Sequence, residues 1–382
     1  MTVMPTDTSP VIAAKGSDPI PGAVACLSSG GLVVFPTETV YGLAASATSE
    51  AGVAALRTFK AQAGDRPFTV HLAQPEDAAK FADVSHPAVA RFLRKAMPGP
   101  VTVVIDVAPA VIAQRLESLG IPAQAAGRIY QNNAVGLRCP DHSLARQFLT
   151  RVGAPVVAAS ANRPGTPLPL DAATAAASVG EAAGAVIDGG PCKYGKPSTM
   201  VRVTLSGPHP KFAVEQAGVL DERFIRKLLR HTVLMVCSGN TCRSPMAEGL
   251  ARQLIAKQRG LSPADLETAG VRVTSAGAFA SPGMPASPEA VEAMSRVGVD
   301  ISKHRSRVLS AEMLHEADEV YCMTRAHLEA VRATSPSDAH KASLLDPNGD
   351  IEDPVGSGVT TYIRCAERIR RHMELRIKEQ GS

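Results

Sequence analysis

The stretch Cys237-Ser-Gly-Asn-Thr-Cys-Arg243 constrains this chain more than any other. It lies between the apolar run Val233–Val236 and the pair Ser244-Pro245. That order calls for a strand, a tight loop and a helix start, with Ser244 as the expected cap and Pro245 as the first helical residue. Such a loop aims backbone N–H groups and the Arg243 guanidinium at a dianionic oxyanion, with the Cys237 sulfur in line for attack. A free thiol titrates near ~8.5 and must be lowered to act as a nucleophile at neutral pH. The helix N-terminus, Arg243 and the Ser244 hydroxyl are the groups expected to lower it. Gly239 is expected to let the backbone curl without a Cβ clash, and Asn240 to brace it through its side chain. The leaving group needs a proton, and Asp353, in Glu352-Asp-Pro-Val-Gly-Ser-Gly358, sits on a Pro/Gly loop suited to a movable acid. Cys242 reads as a small buried residue whose place beside Cys237 permits a protective disulfide on oxidation.

The loop begins at residue 237 of 382, so more than half of the chain precedes it. That length exceeds one comfortable hydrophobic core and predicts two domains. With 45% hydrophobic and 20% charged residues the composition is globular, and no run approaches the ~20 apolar residues of a membrane span. Forty basic against 36 acidic residues leave a net charge of +4, which permits an RNA or nucleotide partner without demanding one. Seven cysteines without disulfide-type spacing point to a reducing cytoplasm. Residues 1–17 lack an apolar signal-peptide core and read as a disordered lead-in.

Residues 18–221 alternate β-rich runs (Leu32–Phe35, Val101–Asp106, Val135–Arg138, Val156–Ala159, Ala185–Ile187, Met200–Thr204) with Ala-rich helical stretches. Helices are expected over Gly52–Lys60 and after His86-Pro87. Residues 107–133 are less regular, an inserted helix or a mobile loop. Ser206–Pro210 reads as a turn. Residues 222–231 form the expected linker, with a basic connecting helix over Glu222–Arg230. Residues 232–382 alternate more strictly: strand Val233–Val236, the Cys loop and its helix, strand Val271–Ser275, a helix from Ser287-Pro288 stopped by Gly298, strand Glu319–Met323, and a basic helix over Thr360–Lys378. That alternation predicts an α/β fold, a doubly wound parallel sheet with the loop at a strand's C-terminal end.

Five ordered motifs from about Thr232 onward resemble the low-molecular-weight protein tyrosine phosphatases. They are Val236-Cys-Ser-Gly-Asn-Thr-Cys-Arg-Ser-Pro-Met-Ala-Glu248, Thr274-Ser-Ala-Gly277, Gly298-Val-Asp-Ile-Ser-Lys-His-Arg-Ser-Arg307, Ala317-Asp-Glu-Val-Tyr-Cys-Met323 and Asp353-Pro354. The resemblance implies a metal-independent protein phosphatase in which Cys237 forms a phosphocysteine. By the same resemblance Arg243 is expected to grip the phosphoryl oxygens, and Asp353 to protonate the leaving atom and then activate water. The phosphate loop is Ser238, Gly239, Asn240, Thr241 and Cys242. At the position of Thr241, tyrosine-specific members carry a bulky aliphatic, whereas the bacterial protein arginine phosphatases of the family are similar to this chain. After Asp353-Pro354, Val355 and Gly356 replace the aromatics that sandwich a tyrosine ring. A phosphorylated protein is therefore the expected substrate, phosphoarginine favoured over phosphotyrosine.

In the front half the chemistry-bearing residues are dispersed. Phe35-Pro-Thr-Glu-Thr-Val-Tyr-Gly-Leu43, Lys60, Arg66, His71, Pro98-Gly-Pro-Val-Thr102, Val135-Gly-Leu-Arg138, Ser160-Ala-Asn162 and Ser198-Thr199 put cations and hydroxyls near strand ends. Read without a family, they suggest a nucleotide or anion site, and singly each is also a common turn or cap residue. In this order they resemble the threonylcarbamoyl-AMP synthase (YrdC-like) family, whose fold is a twisted α/β sheet around an open cavity. The resemblance implies condensation of L-threonine, bicarbonate and ATP, with Mg²⁺ accompanying the nucleotide, and a product destined for tRNA. It places Lys60, Arg66, Ser160 and Asn162 at the nucleotide, and Thr37, Thr39, His71, Thr102, Arg138 and Ser198 at threonine and the phosphates. The sequence departs from the family at Gln62 and Gln216, where arginines are usual. An alternative therefore stands, a phosphatase with a nucleotide- or RNA-binding front half that does no catalysis.

Overall fold

The computed structural model describes residues 11–12, 18–61, 68–205 and 210–380. The chain divides into two compact units, Met1–Leu228 and Leu229–Ser382.

In the first unit the strands are β1 (Val11–Ile12), β2 (Leu32–Phe35), β3 (Gly42–Ser46), β4 (Thr69–His71), β5 (Val101–Asp106), β6 (Ala134–Arg138), β7 (Val156–Ser160), β8 (Ala183–Val186), β9 (Thr199–Thr204) and β10 (Lys211–Gln216). They form one mixed sheet in the order β1-β8-β2-β3-β7-β4-β6-β5-β9-β10. Helices follow the sequence signals. Ser49 accepts from the Gly52 N–H and starts Glu50–Phe59, which buries Val53, Leu56 and Phe59. His86 caps Pro87–Ala96, with Pro87 at the first position and Val89, Phe92 and Leu93 buried.

Several elements differ from the sequence expectation. Val11 and Ile12 pair with Ala185 and Val186, within the stretch read as lead-in; the other residues of 1–17 lie outside the described residues. So do residues 206–209 of the expected turn. Strand β3, Gly-Leu-Ala-Ala-Ser, has weak intrinsic strand preference, yet it is buried throughout because β2 and β7 pair with both its edges. Residues 107–133 hold a helix, Pro109–Ser118, and a 3₁₀ turn, Ala123–Arg128. Tyr130 is pinned there by donating to the Phe81 carbonyl at 2.9 Å. The connecting helix spans Glu222–Leu229.

The second unit has β11 (His231–Cys237), β12 (Val271–Gly277), β13 (Glu319–Cys322) and β14 (Ala342–Leu344). All pair in parallel in the order β12-β11-β13-β14, a doubly wound sheet. β11 is buried along its whole length, as a central parallel strand must be. One face packs against helices Arg243–Arg259, Pro288–Ser295 and Val359–Gln380, with Met246, Leu250, Met294, Ile369 and Met373 in the core. The other face packs against Ala311–Glu316 and Arg325–Thr334 through Leu314 and Val331. The strand order reverses between β11 and β13, so the C-terminal end of β11, where Cys237 lies, opens on the crevice such sheets use for ligands. Among the described residues no helix is long and apolar enough to cross a membrane.

Candidate functional site

The Cys237–Arg243 stretch is a closed loop with the sulfur at its base. Cys237 Sγ lies 2.9 Å from Ser244 Oγ and accepts the Asn240 N–H at 3.3 Å. Asn240 holds the loop from within: its Nδ2 donates to Ser244 Oγ (2.8 Å) and Ser275 Oγ (2.9 Å), and its Oδ1 accepts the Arg307 N–H (2.8 Å). Its carbonyl accepts from His304 Nε2 at 2.7 Å, which fixes the proton on that nitrogen. Ser275 in turn donates to Glu248 Oε2 at 2.6 Å.

Two local expectations need correction. The left-handed residue of the loop is Asn240, at φ 54°, and not Gly239. A Cβ on Gly239 would meet Thr241 Oγ1 at an ordinary 3.5 Å. The side-chain bonds of Asn240 compensate a conformation that Asn tolerates better than most residues. The glycine that close packing requires is Gly277, where a Cβ would fall 2.4 Å from the Ser238 carbonyl oxygen and 2.9 Å from the Asn240 nitrogen. Second, Ser244 is not the cap. The helix starts at Arg243, Ser244 is its second residue, and Cys242 precedes it without a side-chain cap. The Ser244 hydroxyl is engaged with Asn240 and the sulfur, and its backbone N–H also reaches the sulfur.

Arg243 is 4% exposed. It donates through Nη1 to the Ile351 carbonyl (3.0 Å) and through Nη2 to Ser238 Oγ (3.4 Å) and Asp353 Oδ2. Asp353 thus rests on the guanidinium of Arg243, the residue that ends the loop holding Cys237 against Ser244. Burial pushes the Cys237 thiol up, while hydrogen bonds from Ser244 and Asn240 and the Arg243 charge pull it down. The upward direction differs from the expected lowering because desolvation of the buried sulfur outweighs the hydrogen bonds and the Arg243 charge. Thr241 is half-buried, with its hydroxyl 3.6 Å from Cys242 Sγ, and Cys242 Sγ also lies 3.5 Å from the Tyr362 hydroxyl. All seven cysteines are unpaired.

Sequence reasoning passed over His327. It is 3% exposed, with Nε2 2.8 Å from Ser238 Oγ and Nδ1 2.9 Å from Thr324 Oγ1. Burial and the Arg243 charge pull its pKa down to about 4, so it is neutral. Its signal was available: Thr324-Arg-Ala-His327 opens a helix directly after a strand of the same sheet edge. His304, Ser275 and Glu248 were inside quoted motifs without a role.

In the first unit the expected residues fall into three groups. Arg138, at the end of β6, donates through Nη2 to Thr39 Oγ1 (2.6 Å), Glu38 Oε1 (3.0 Å) and Thr37 Oγ1 (3.3 Å). Glu38, missed in the sequence, is buried and makes the ion pair, its other oxygen accepting the Asp141 N–H at 3.0 Å. His71 is paired with Arg138 in the β4–β6 register; burial and that guanidinium pull it down to about 3, so it is a neutral imidazole. The second group is Lys60, whose Nζ donates to the Ser160 and Asn162 carbonyls at 3.0 and 2.6 Å and lies 3.3 Å from Ser160 Oγ and from Asn162 Oδ1. Burial lowers its pKa. In the third, Thr102 Oγ1, on β5, meets Ser198 Oγ, just before β9, at 2.7 Å. Gln216 is exposed at the end of β10; Arg66 and Gln62 lie outside the described residues.

Comparison with known proteins gives each unit a set of relatives. Residues 25–213 match the Sua5/YciO/YrdC family model, described as telomere recombination. Residues 232–379 match that of the low molecular weight phosphotyrosine protein phosphatases. The chain is 35% identical over 145 residues to a probable low molecular weight protein-tyrosine-phosphatase, EpsP, of Ralstonia nicotianae, covering 37% of this chain and 91% of that protein. It is 35% identical over 142 residues to the protein-arginine-phosphatase of Bacillus subtilis, covering 36% and 88%. The first unit is 33% identical over 189 residues to a putative threonylcarbamoyl-AMP synthase of Mycobacterium leprae, covering 50% of this chain and 80% of that protein. The chain therefore belongs to two families, the Sua5/YciO/YrdC family through its front half and the low-molecular-weight phosphotyrosine protein phosphatases through its back half.

Proposed function

We propose that the protein is a cytoplasmic bifunctional enzyme whose two units are separate domains, the second a cysteine-dependent protein phosphatase acting on phosphoarginine. The observation that carries the phosphatase reading is the cluster of Cys237 Sγ, Ser244 Oγ, Arg243 and Asp353 around one loop. As Asp353 leaves Arg243 it gains a proton while the Cys237 thiol loses one; the Cys237 thiolate then attacks phosphorus as the bond to the leaving atom breaks, and Asp353 gives its proton to that atom. Asp353 then takes a proton from water, which attacks the phosphocysteine, breaks the P–S bond and frees phosphate. Arg243 and the loop N–H groups hold the phosphoryl oxygens throughout. No metal is required for these steps.

Phosphoarginine is favoured over phosphotyrosine by Thr241, whose hydroxyl suits a polar guanidinium, and by Val355, which is 64% exposed where a ring-stacking aromatic would otherwise stand. The deciding assay compares phosphoarginine with phosphotyrosine peptides on the full-length chain. Faster turnover of phosphotyrosine overturns the preference. Thr241→Ile should move the ratio toward phosphotyrosine. Asp353→Asn should slow hydrolysis of a poor leaving group far more than that of an activated aryl phosphate, by roughly 10²-fold or more, the scale of general acid catalysis. Equal losses on both would remove its acid role.

For the first unit, the Lys60–Ser160–Asn162 group and the Arg138–Thr37–Thr39 group, with the family resemblance, support synthesis of threonylcarbamoyl-AMP from threonine, bicarbonate and Mg²⁺–ATP, for transfer to tRNA. A second reading, nucleotide or RNA binding without catalysis, is favoured by Gln62 and Gln216. Losing one charged phosphate contact costs about 1.5–3 kcal/mol, or tenfold and more in binding. Calorimetric titration with ATP and threonine separates the two. Binding of both, with adenylate formed when bicarbonate is added, is the expected result, and binding of neither overturns it.

A further inference from the structure

We propose that His327 is a positioning residue of the phosphatase site, acting on Arg243 through the Ser238 hydroxyl; this rests on the phosphatase reading. The contacts form an unbroken line: Thr324 Oγ1 to His327 Nδ1 at 2.9 Å, His327 Nε2 to Ser238 Oγ at 2.8 Å, Ser238 Oγ to Arg243 Nη2 at 3.4 Å. The Thr324 hydroxyl oxygen already accepts the His327 backbone N–H, at 3.4 Å, as the helix cap. If that hydroxyl donates its proton to Nδ1, the imidazole proton sits on Nε2 and points at Ser238. Ser238 Oγ then accepts twice, from His327 and from Arg243, and its own proton is left for the loop interior.

Arg243 Nη2 is also the nitrogen on which Asp353 rests. When Asp353 leaves to protonate the leaving atom, the Ser238 hydroxyl is the remaining side-chain partner of that nitrogen, and Ile351 holds the other. The guanidinium must be aimed at oxygens that gain charge in the transition state, where small misplacement is costly. A neutral ring suits this place because a cation there would face Arg243 directly. Asp353 and Asp350 are the acidic groups whose charges reach it.

The test is a double-mutant cycle on the full-length chain with an aryl phosphate. His327→Ala should lower kcat by about tenfold or more with KM within about threefold, the pattern of an interaction made in the transition state. His327→Gln, which returns a donor near the Nε2 position, should recover most of that loss. In a Ser238→Ala background, adding His327→Ala should cost nothing further. A smaller loss from His327→Ala, a Gln variant no better than Ala, or additive losses in the double variant each overturn the proposal. If the wild-type chain hydrolyses no phosphomonoester, the phosphatase reading itself has failed. The cycle is then read on vanadate affinity, where the same non-additivity supports the His327–Ser238–Arg243 line and additivity overturns it.

Discussion

Cys237 is caught between opposing terms, desolvation pushing its thiol up and the Ser244, Asn240 and Arg243 contacts pulling it down. The Ser244 side chain is the hydroxyl among them. Its oxygen accepts from Asn240 Nδ2 at 2.8 Å, and the sulfur at 2.9 Å is a nearer acceptor for its proton than the Ala276 carbonyl at 3.4 Å. A donor to sulfur favours the thiolate, so Ser244→Ala should raise the pKa and shift the alkylation-rate profile of Cys237 to higher pH. At neutral pH the thiolate fraction, and with it the alkylation rate, should fall. An unmoved profile, followed with iodoacetamide, would show that Ser244 does not tune the nucleophile. Cys237 and Arg243 stood out in the sequence because chemistry dictates the residue types and the loop dictates their spacing, and Asp353 because it lies on a Pro/Gly loop. The roles of His327 and Glu38 did not, since each meets its partner only through tertiary contact.

At the scale of elements, β12 is as much a part of the loop as the loop itself. Its last residue, Gly277, approaches the Ser238 carbonyl so closely that any side chain displaces backbone. The Cys237 and Ser238 carbonyls accept the next two N–H groups, of Ala278 and Phe279, at 2.8 and 3.0 Å. Gly277→Ala should destabilise the domain by about 1–3 kcal/mol, the usual cost of overpacking, and lower kcat together with stability. Thermal denaturation and steady-state kinetics check both, and an unchanged melting temperature would show that the loop can give way. The helix expected over Thr360–Lys378 spans Val359–Gln380, with Tyr362, Ala366, Ile369 and Met373 buried along one face. Short strands such as β3 and β4 were not legible in the sequence, because burial between neighbours makes them strands and local propensity does not.

For the whole molecule, two families share one chain, and each unit carries its own sheet and its own candidate site. Separate domains predict that Cys237→Ser abolishes phosphatase turnover and leaves the affinity for ATP and threonine within roughly threefold, the scatter expected of independent sites. A larger change by calorimetry would reveal coupling. The amino-acid order alone determined that the back half is a doubly wound sheet with the Cys237–Arg243 loop at a strand end. This follows from local pattern: period, turn chemistry and motif spacing act over a few residues. Only the tertiary structure decided that Asn240 carries the left-handed turn, that Gly277 is the glycine the loop depends on, that Asp353 rests on Arg243, and that Arg138 is buried against Glu38. Those facts depend on desolvation and on contacts between residues far apart in the chain, and neither is written in any window of sequence.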